Sequence, residues 1–295
     1  MDRLNDLRLF IDAAALGSFS AAGRKNGLSA AASSATIQRL ETALGVQLFE
    51  RSTRRLRLTE EGEAYRHYGL QALESLAEAE QVVSAGRREV RGTLRLSAPS
   101  DLGRNALLVH LDSFQQQHPQ VKLALRLDDT PADLLADDID LAIRYGQPRD
   151  SRLVARLLAS SRRVVCAAPA LLARVGMPTS PDALAALPTL VLVTATGPMQ
   201  DWRWRHGEIA RSVRVGRSHE SNDGDVLRRW AIQGRGFAYK SLLDVQADLQ
   251  DGRLVTVLDE HFTDAAPLHA LYHPHAFQPQ RLKLLVAHLQ DAFGT

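Results

Sequence analysis

At Gly92 the hydrophobic periodicity of this 295-residue chain changes. Upstream, apolar residues recur at three- and four-residue spacings; downstream, short apolar runs of strand length alternate with helical segments. A helix-period pattern cannot serve as a strand, so the chain must build an all-helical N-terminal part and a separate α/β part. Length agrees, since single cores stop growing at about 250–300 residues and then divide.

The upstream part reads as three short helices. Leu4, Leu7, Leu9, Phe10, Ala13 and Ala14 form the stripe of the first, which ends at Gly17. Ser18 is placed to cap a second helix from Phe19 to Asn26, stopped by Gly27. Ser29 is placed to cap a third that runs to about Leu44, ahead of Gly45. On that third helix Ile37, Leu40 and Leu44 share one face with Ser33 beside them, opposite Ala31, Ser34, Ala35, Gln38 and Thr42. A face of small and polar residues can approach base edges, and three short helices with tight turns make a helix-turn-helix candidate.

After Gly45, Val46 to Phe49 and the alternating Leu56 to Thr59 read as a β-wing. Thr59 then caps a long helix with Glu60, Glu61 and Glu63 at its positive end. Its narrow stripe (Ala64, Tyr68, Ala72, Leu76, Ala79, Val83) suits pairing with a second subunit.

Downstream, strands are expected at Thr93–Ser97, Val121–Leu127, Ile139–Arg144, Arg163–Ala167, Thr189–Val193, Gly236–Tyr239, Leu254–Leu258 and Leu268–Tyr272. Helices are expected at Asn105–Gln117, Asp223–Gln233 and Gln280–Phe293, with a helical turn over 131–136. Such alternation implies a parallel sheet with right-handed crossovers, and there are enough elements for two α/β lobes.

Composition excludes several classes. With 45% hydrophobic and 24% charged residues the chain suits a globular protein, not a disordered one. No apolar run approaches the roughly 20 residues of a membrane helix, and the start lacks a secretory pattern, so a soluble cytoplasmic protein is expected. The single cysteine, Cys166, lies in an apolar run and reads as a buried strand residue. Net charge is only +2, but residues 1–60 carry nine Lys or Arg against six Asp or Glu, with Arg51, Arg54, Arg55 and Arg57 clustered and free of acids. The histidines are scattered, giving no metal site, and no GxSxG, HExxH or Walker loop is present, so no enzyme is expected.

Specific strings then point to a family. LRLFIDAAALGSFSAAG (Leu7–Gly23), the Ser and IQRLE pattern of Leu28–Glu41, LGVQLFERSTRRLRLTEEG (Leu44–Gly62), GTLRLSAP from Gly92, DIDLAIRYG (Asp138–Gly146) and DGRLVTVL (Asp251–Leu258) together resemble bacterial LysR-type transcriptional regulators over essentially the whole chain. The resemblance implies a winged helix-turn-helix over 1–60, a linker helix over 61–89 and a two-lobed, periplasmic-binding-protein-like effector domain over 90–295. Lobe I would take about 90–161 and 266–295, lobe II about 162–265. It also implies a dimer or tetramer, promoter DNA and RNA polymerase as partners, and a small-molecule co-inducer. The sequence departs from the family's pattern at Ala30, Ala31 and Ala35, where Gln, Pro and a basic residue are usual, which makes base readout by this helix leaner.

Candidate DNA contacts are Ser29, Ser34, Gln38, Arg39, Arg51, Arg54 and Arg55. Capping of the helix by Ser29 and solvated arginines are the plain alternatives. Candidate effector contacts follow from the rule that ligands bind at the carboxyl ends of strands: Ser100 and Asp101 after the first strand, Thr130 after the second and Arg144 ending the third. In the second lobe they are Trp202, Asn222 at a helix start, and Lys240, whose ammonium suits an organic anion. For Trp202 core packing is the favoured alternative, and Ser100 and Asn222 read also as helix caps. Two rivals remain: a solute-binding protein with no nucleic-acid role, and an α/β enzyme carrying a helix-turn-helix for assembly.

Overall fold

The computed structural model describes residues 3–50, 56–85, 90–130, 134, 137–146, 152–207, 209–274 and 278–294. The chain forms two compact units, one of residues 1–92 with the short segments 133–139 and 276–279, the other of the remainder. The helical turn expected over 131–136 lies outside the described residues except for Leu134.

The first unit holds α1 (Arg3–Leu16), α2 (Phe19–Lys25), α3 (Ala30–Leu44) and α4 (Glu60–Ala85). Their starts are set by local capping: Ser18 Oγ accepts from Ala21 N and Ser29 Oγ from Ala32 N, both at 3.2 Å, and Thr59 Oγ1 accepts from Gly62 N at 3.0 Å. Gly45 ends α3 at φ +73°, a left-handed conformation that glycine adopts without steric cost. Phe10 is the centre of this core, with ring centroids 5.3 Å from Phe49 and 5.2 Å from Tyr65, so it joins α1 to the wing and to α4. The two arms of the wing meet where Phe49 bridges Leu58 and Glu50 N donates to Arg57 O at 2.9 Å. Leu44, expected on the buried face of α3, is exposed, because it occupies the last turn, where the chain leaves the core at Gly45.

The second unit begins with β1 (Gly92–Ala98), followed by α5 (Ser100–Leu102), which continues through a π-helical turn (Gly103–Leu107) into α6 (Leu108–Gln117). Then come β2 (Val121–Leu127), β3 (Leu141–Tyr145), β4 (Val154–Ala159), β5 (Arg163–Ala167), α7 (Pro169–Val175) and a 3-10 turn (Pro181–Ala186). Next are β6 (Thr189–Thr194), β7 (Gly197–Pro198), β8 (Asp201–His206), β9 (Ile209–Arg214) and β10 (His219–Ser221). The chain ends with α8 (Gly224–Ile232), β11 (Phe237–Ser241), α9 (Leu242–Gln250), β12 (Val255–Val257), β13 (Leu268–Tyr272) and α10 (Gln280–Phe293).

These strands make two sheets, ordered β2-β1-β3-β13-β4 and β10-β6-β11-β5-β12, with β8 and β9 as a separate hairpin. Neither sheet is purely parallel, contrary to the expectation from alternation. β13 runs antiparallel to both β3 and β4, and β5 antiparallel to both β11 and β12. The reason is connectivity, because β13 returns from the second sheet to the first without an intervening helix and need not obey the βαβ rule.

The second sheet is covered on both faces, and its strands show the period of two. Val164 and Cys166 of β5 pack with Leu227, Ala231 and Val245 of α8 and α9, while Val165 and Ala167 pack with Leu171, Leu184, Trp202 and Phe262 on the other side. Burial pushes the Cys166 thiol up to about 12, so it stays protonated, as a packing residue does. Among the described residues no helix is long and apolar enough to cross a membrane.

Candidate functional site

In the first unit the candidate surface is the exposed side of α3. Ser33, Thr36, Ile37 and Leu40 are buried; Ala30, Ala31, Ala35, Gln38, Arg39 and Thr42 are exposed, and Ser34 is half-buried. Ser29 is exposed at the N-terminus of the helix, so its hydroxyl caps Ala32 and also lies at the surface. Arg39 donates to Thr36 Oγ1 at 2.8 Å, which lays its guanidinium along the helix. The wing is pinned to the same helix by Glu41, whose Oε1 accepts from Leu48 N at 2.8 Å and Phe49 N at 3.1 Å. Arg51, Arg54 and Arg55 lie outside the described residues.

In the second unit a polar cluster lies between the two sheets, where α5, the loop after β2, α8, the end of β11 and α9 converge. Lys240, only 6% exposed, is ion-paired with Asp101, lies 3.6 Å from Asp244 and donates to Gly224 O at 3.0 Å. Arg228 donates to the buried Asp248 at 2.5 Å, and Arg104 reaches both carboxylate oxygens of Asp223 at 2.9 and 3.0 Å. Asn105 donates to Asp101 at 2.8 Å and to Asp225 at 2.9 Å, and Tyr145 donates to Asp244 at 2.6 Å. Of these, the Lys240–Asp101, Arg104–Asp223, Asn105–Asp225 and Tyr145–Asp244 contacts run from the first sheet's lobe to the second's, and the others stay within one lobe.

Burial and neighbours set the protonation of this cluster. Burial raises the Asp101 carboxyl to about 7 against the opposing pull of Lys240, with Asp244 adding to the rise. For Lys240, burial works toward neutrality, but Asp101 and Asp244 outweigh it and its affinity for the proton is raised. The Tyr145 phenol is raised well above its ordinary value by burial and by Asp244. Asp223 is lowered: burial alone would raise it, but the Val226 amide and Arg104 favour its charged form. Two carboxyls thus share one ammonium, and Lys240 presents no free charge to the cleft.

A seat for an anion exists beside this pair. Ser100 N, Ser100 Oγ and Gly224 N all point at one place, and the carboxylate of Asp129 fills it. Ser100 N donates to Oδ1 at 3.0 Å, Gly224 N to Oδ2 at 2.6 Å, and the Ser100 hydroxyl to Oδ2. Gly224 N lies at the first turn of α8, whose N-terminus favours negative charge.

The expected effector residues are therefore only partly together. Ser100, Asp101 and Lys240 meet in the cluster. Arg144 lies at its edge, donating to Ser97 Oγ at 2.6 Å and reaching Thr130 O at 3.5 Å. Thr130 and Asn222 are exposed. Trp202 is not at the cleft: it is 1% exposed, stacks on Tyr239 with centroids 5.5 Å apart and donates to Met199 O at 3.2 Å. Strand alternation turned both indoles of β8 into the core and left Arg203 and Arg205 outside.

Sequence reading missed Asp129, Arg104, Gly224, Arg228, Asp244 and Asp248. A signal existed in two places, the four-residue spacing of Asp244 and Asp248 and the three-residue spacing of Asp225 and Arg228. Charges repeating on the face a helix should bury mark a buried ion cluster.

Comparison with known proteins places both parts of the chain in one family. Residues 4–63 match the family described as "Bacterial regulatory helix-turn-helix protein, lysR family", and residues 87–294 match "LysR substrate binding domain". The HTH-type transcriptional regulator DmlR of Escherichia coli (strain K12) is 32% identical over 291 residues, covering 99% of this chain and 94% of that protein. CrgA, a LysR-type transcriptional regulator from Neisseria meningitidis, superposes with a TM-score of 0.65 at 29% identity, covering 98% of each chain. Full-length LysG from Corynebacterium glutamicum, with its bound effector Arg, shares the fold at a TM-score of 0.73 and 19% identity, over 97% of this chain and 96% of that one. An N-terminal helix-turn-helix, an α/β domain of two sheets and these matches along nearly the whole length make the chain a member of the LysR family of DNA-binding transcriptional regulators, a family of effector-responsive proteins and not of enzymes.

Proposed function

We propose that the chain is a cytoplasmic, sequence-specific regulator that reads a partly palindromic promoter site as a dimer or tetramer and alters its DNA contacts when a small organic anion enters the cleft. The observation that carries the DNA reading is the outer face of α3, where the exposed Gln38 and the half-buried Ser34 stand among the exposed Ala30, Ala31 and Ala35. Such a helix can lie close to base edges, with Gln38 reading a base and Ser29, Ser34 and Arg39 holding phosphates. Arg51, Arg54 and Arg55 would add backbone contacts from the wing. Pairing through α4 fits its exposed Tyr68 and Ala72.

The division into residues 1–60, 61–89 and 90–295 follows the same reading, with RNA polymerase as a further partner. An effector carboxylate fits the three donors from Ser100 and Gly224 better than it fits Lys240, whose charge is already matched. Arg144, Thr130 and Asn222 at the rim would contact the rest of the molecule. Ligand closing or parting the lobes would then change the spacing of the DNA-binding units.

The test is binding of the purified protein to its own upstream intergenic DNA at two salt concentrations, against an unrelated duplex. Selective binding that weakens with salt supports the reading. Absence of selectivity there and in a genome-wide selection overturns it.

A further inference from the structure

We propose that Asp129 is a resident carboxylate: in the unliganded chain it occupies the seat that an effector's carboxylate takes, and effector binding exchanges one carboxylate for the other. The inference rests on the anionic-effector reading above and adds to it a residue that sets affinity and threshold.

Three observations support it. First, the donors around Asp129 converge on a single carboxylate: Ser100 N on Oδ1, and Ser100 Oγ and Gly224 N on Oδ2. Gly224 N donates to Ser100 Oγ as well, at 2.8 Å, so serine and glycine form one preorganised cradle. Second, the cradle is made by both lobes. Ser100 and Asp129 belong to the lobe of the first sheet and Gly224 to that of the second, so Asp129 ties the lobes as a bridging ligand does. Third, Asp129 is not locked in the core. It is half-buried on the loop after β2, beside the exposed Thr130, while the other carboxylates that bind Lys240 and Arg228 are buried on helices. Arg144 reaches the carbonyl of Thr130, the next residue on the same loop, at 3.5 Å.

The exchange needs no change in the number of charges held by the cradle. A free carboxylate must compete with one tethered nearby, whose effective concentration is high. Affinity for any carboxylate is therefore lowered, and weak or abundant anions are screened out.

The experiment uses the full-length protein and its Asp129→Ala and Asp129→Asn variants, titrated calorimetrically with acetate, succinate and benzoate at constant ionic strength with chloride as the balancing anion. Melting curves establish that each variant is folded, and Asp129→Asn, nearly isosteric, carries the comparison should the alanine variant fail to fold. The expected result is tighter binding of at least one of these anions by about ten- to a hundred-fold in both variants, abolished when Ser100→Ala is added. Equal affinity in wild type and variants overturns the resident role of Asp129 and leaves the anion seat standing. Binding to none of the three proteins overturns the seat, and the exchange with it.

Discussion

Lys240 and Asp101 form a buried ion pair that joins the end of β11 to the first turn after β1, and Asp244 stands 3.6 Å from the same ammonium. Removing one member of such a group leaves uncompensated charge in the interior. Lys240→Met should lower stability by about 3–5 kcal/mol, read as a fall in the urea midpoint. Adding Asp101→Asn and Asp244→Asn should restore much of the loss. An unchanged midpoint in the single variant would mean that water reaches the pair.

The Asp101 carboxyl is raised by burial from 3.8 to about 7, so the folded chain holds a proton there that the unfolded chain has released. The stability this contributes is fully present below about pH 4 and is lost as pH rises through about 7. Thermal melts over that window should show wild type losing more stability with rising pH than Asp101→Asn. Parallel curves for the two proteins would count against a shifted Asp101.

Glu41 fastens the wing to α3 by accepting two amide protons, those of Leu48 and Phe49. Glu41→Ala strips both amides of their acceptor and should cost about 1–3 kcal/mol. DNA affinity should drop several-fold, since the wing loses its register against the helix. Glu41→Gln keeps the oxygen and should retain both properties, which separates hydrogen bonding from charge.

Gln38 and Arg57, both exposed, should behave differently in DNA binding. Gln38→Ala should cost about 1–3 kcal/mol on the preferred site and relax preference at one base pair. Arg57→Ala, at the wing, should weaken all duplexes alike and reduce the salt slope by about one. Quantitative gel shifts at several salt concentrations on site and non-site DNA distinguish the two.

The helical unit was legible because its determinants are local. Ser18, Ser29 and Thr59 each act on an amide three residues away, so cap and helix start sit side by side in the sequence. The cleft was less legible for the opposite reason. Arg104 meets Asp223 across 119 positions and Asn105 meets Asp225 across 120, and no short pattern encodes such partners. Ser100, Asp101 and Lys240 were found because strand ends position ligands in this class of fold. Asp129 was passed over for its neighbour Thr130, since a strand's last residue does not reveal which following side chain turns inward. Trp202 shows a related limit: alternation pairs it with Trp204 on one face without saying which face is covered. Strand direction is likewise silent, because β13 has the same apolar run whether it lies parallel or antiparallel.

The place of β13 has a consequence for how the protein is made. The second sheet is complete once Val257 has left the ribosome, whereas β13, at Leu268–Tyr272, is the strand that joins β4 to β3 in the first. Until it emerges, β3 and β4 each keep an open edge, with hydrogen-bonding groups that another nascent chain could capture. The lobe encoded first is thus the last to close, and a chain cut short before Leu268 would carry a complete second sheet and a first sheet whose β3 edge remains adhesive.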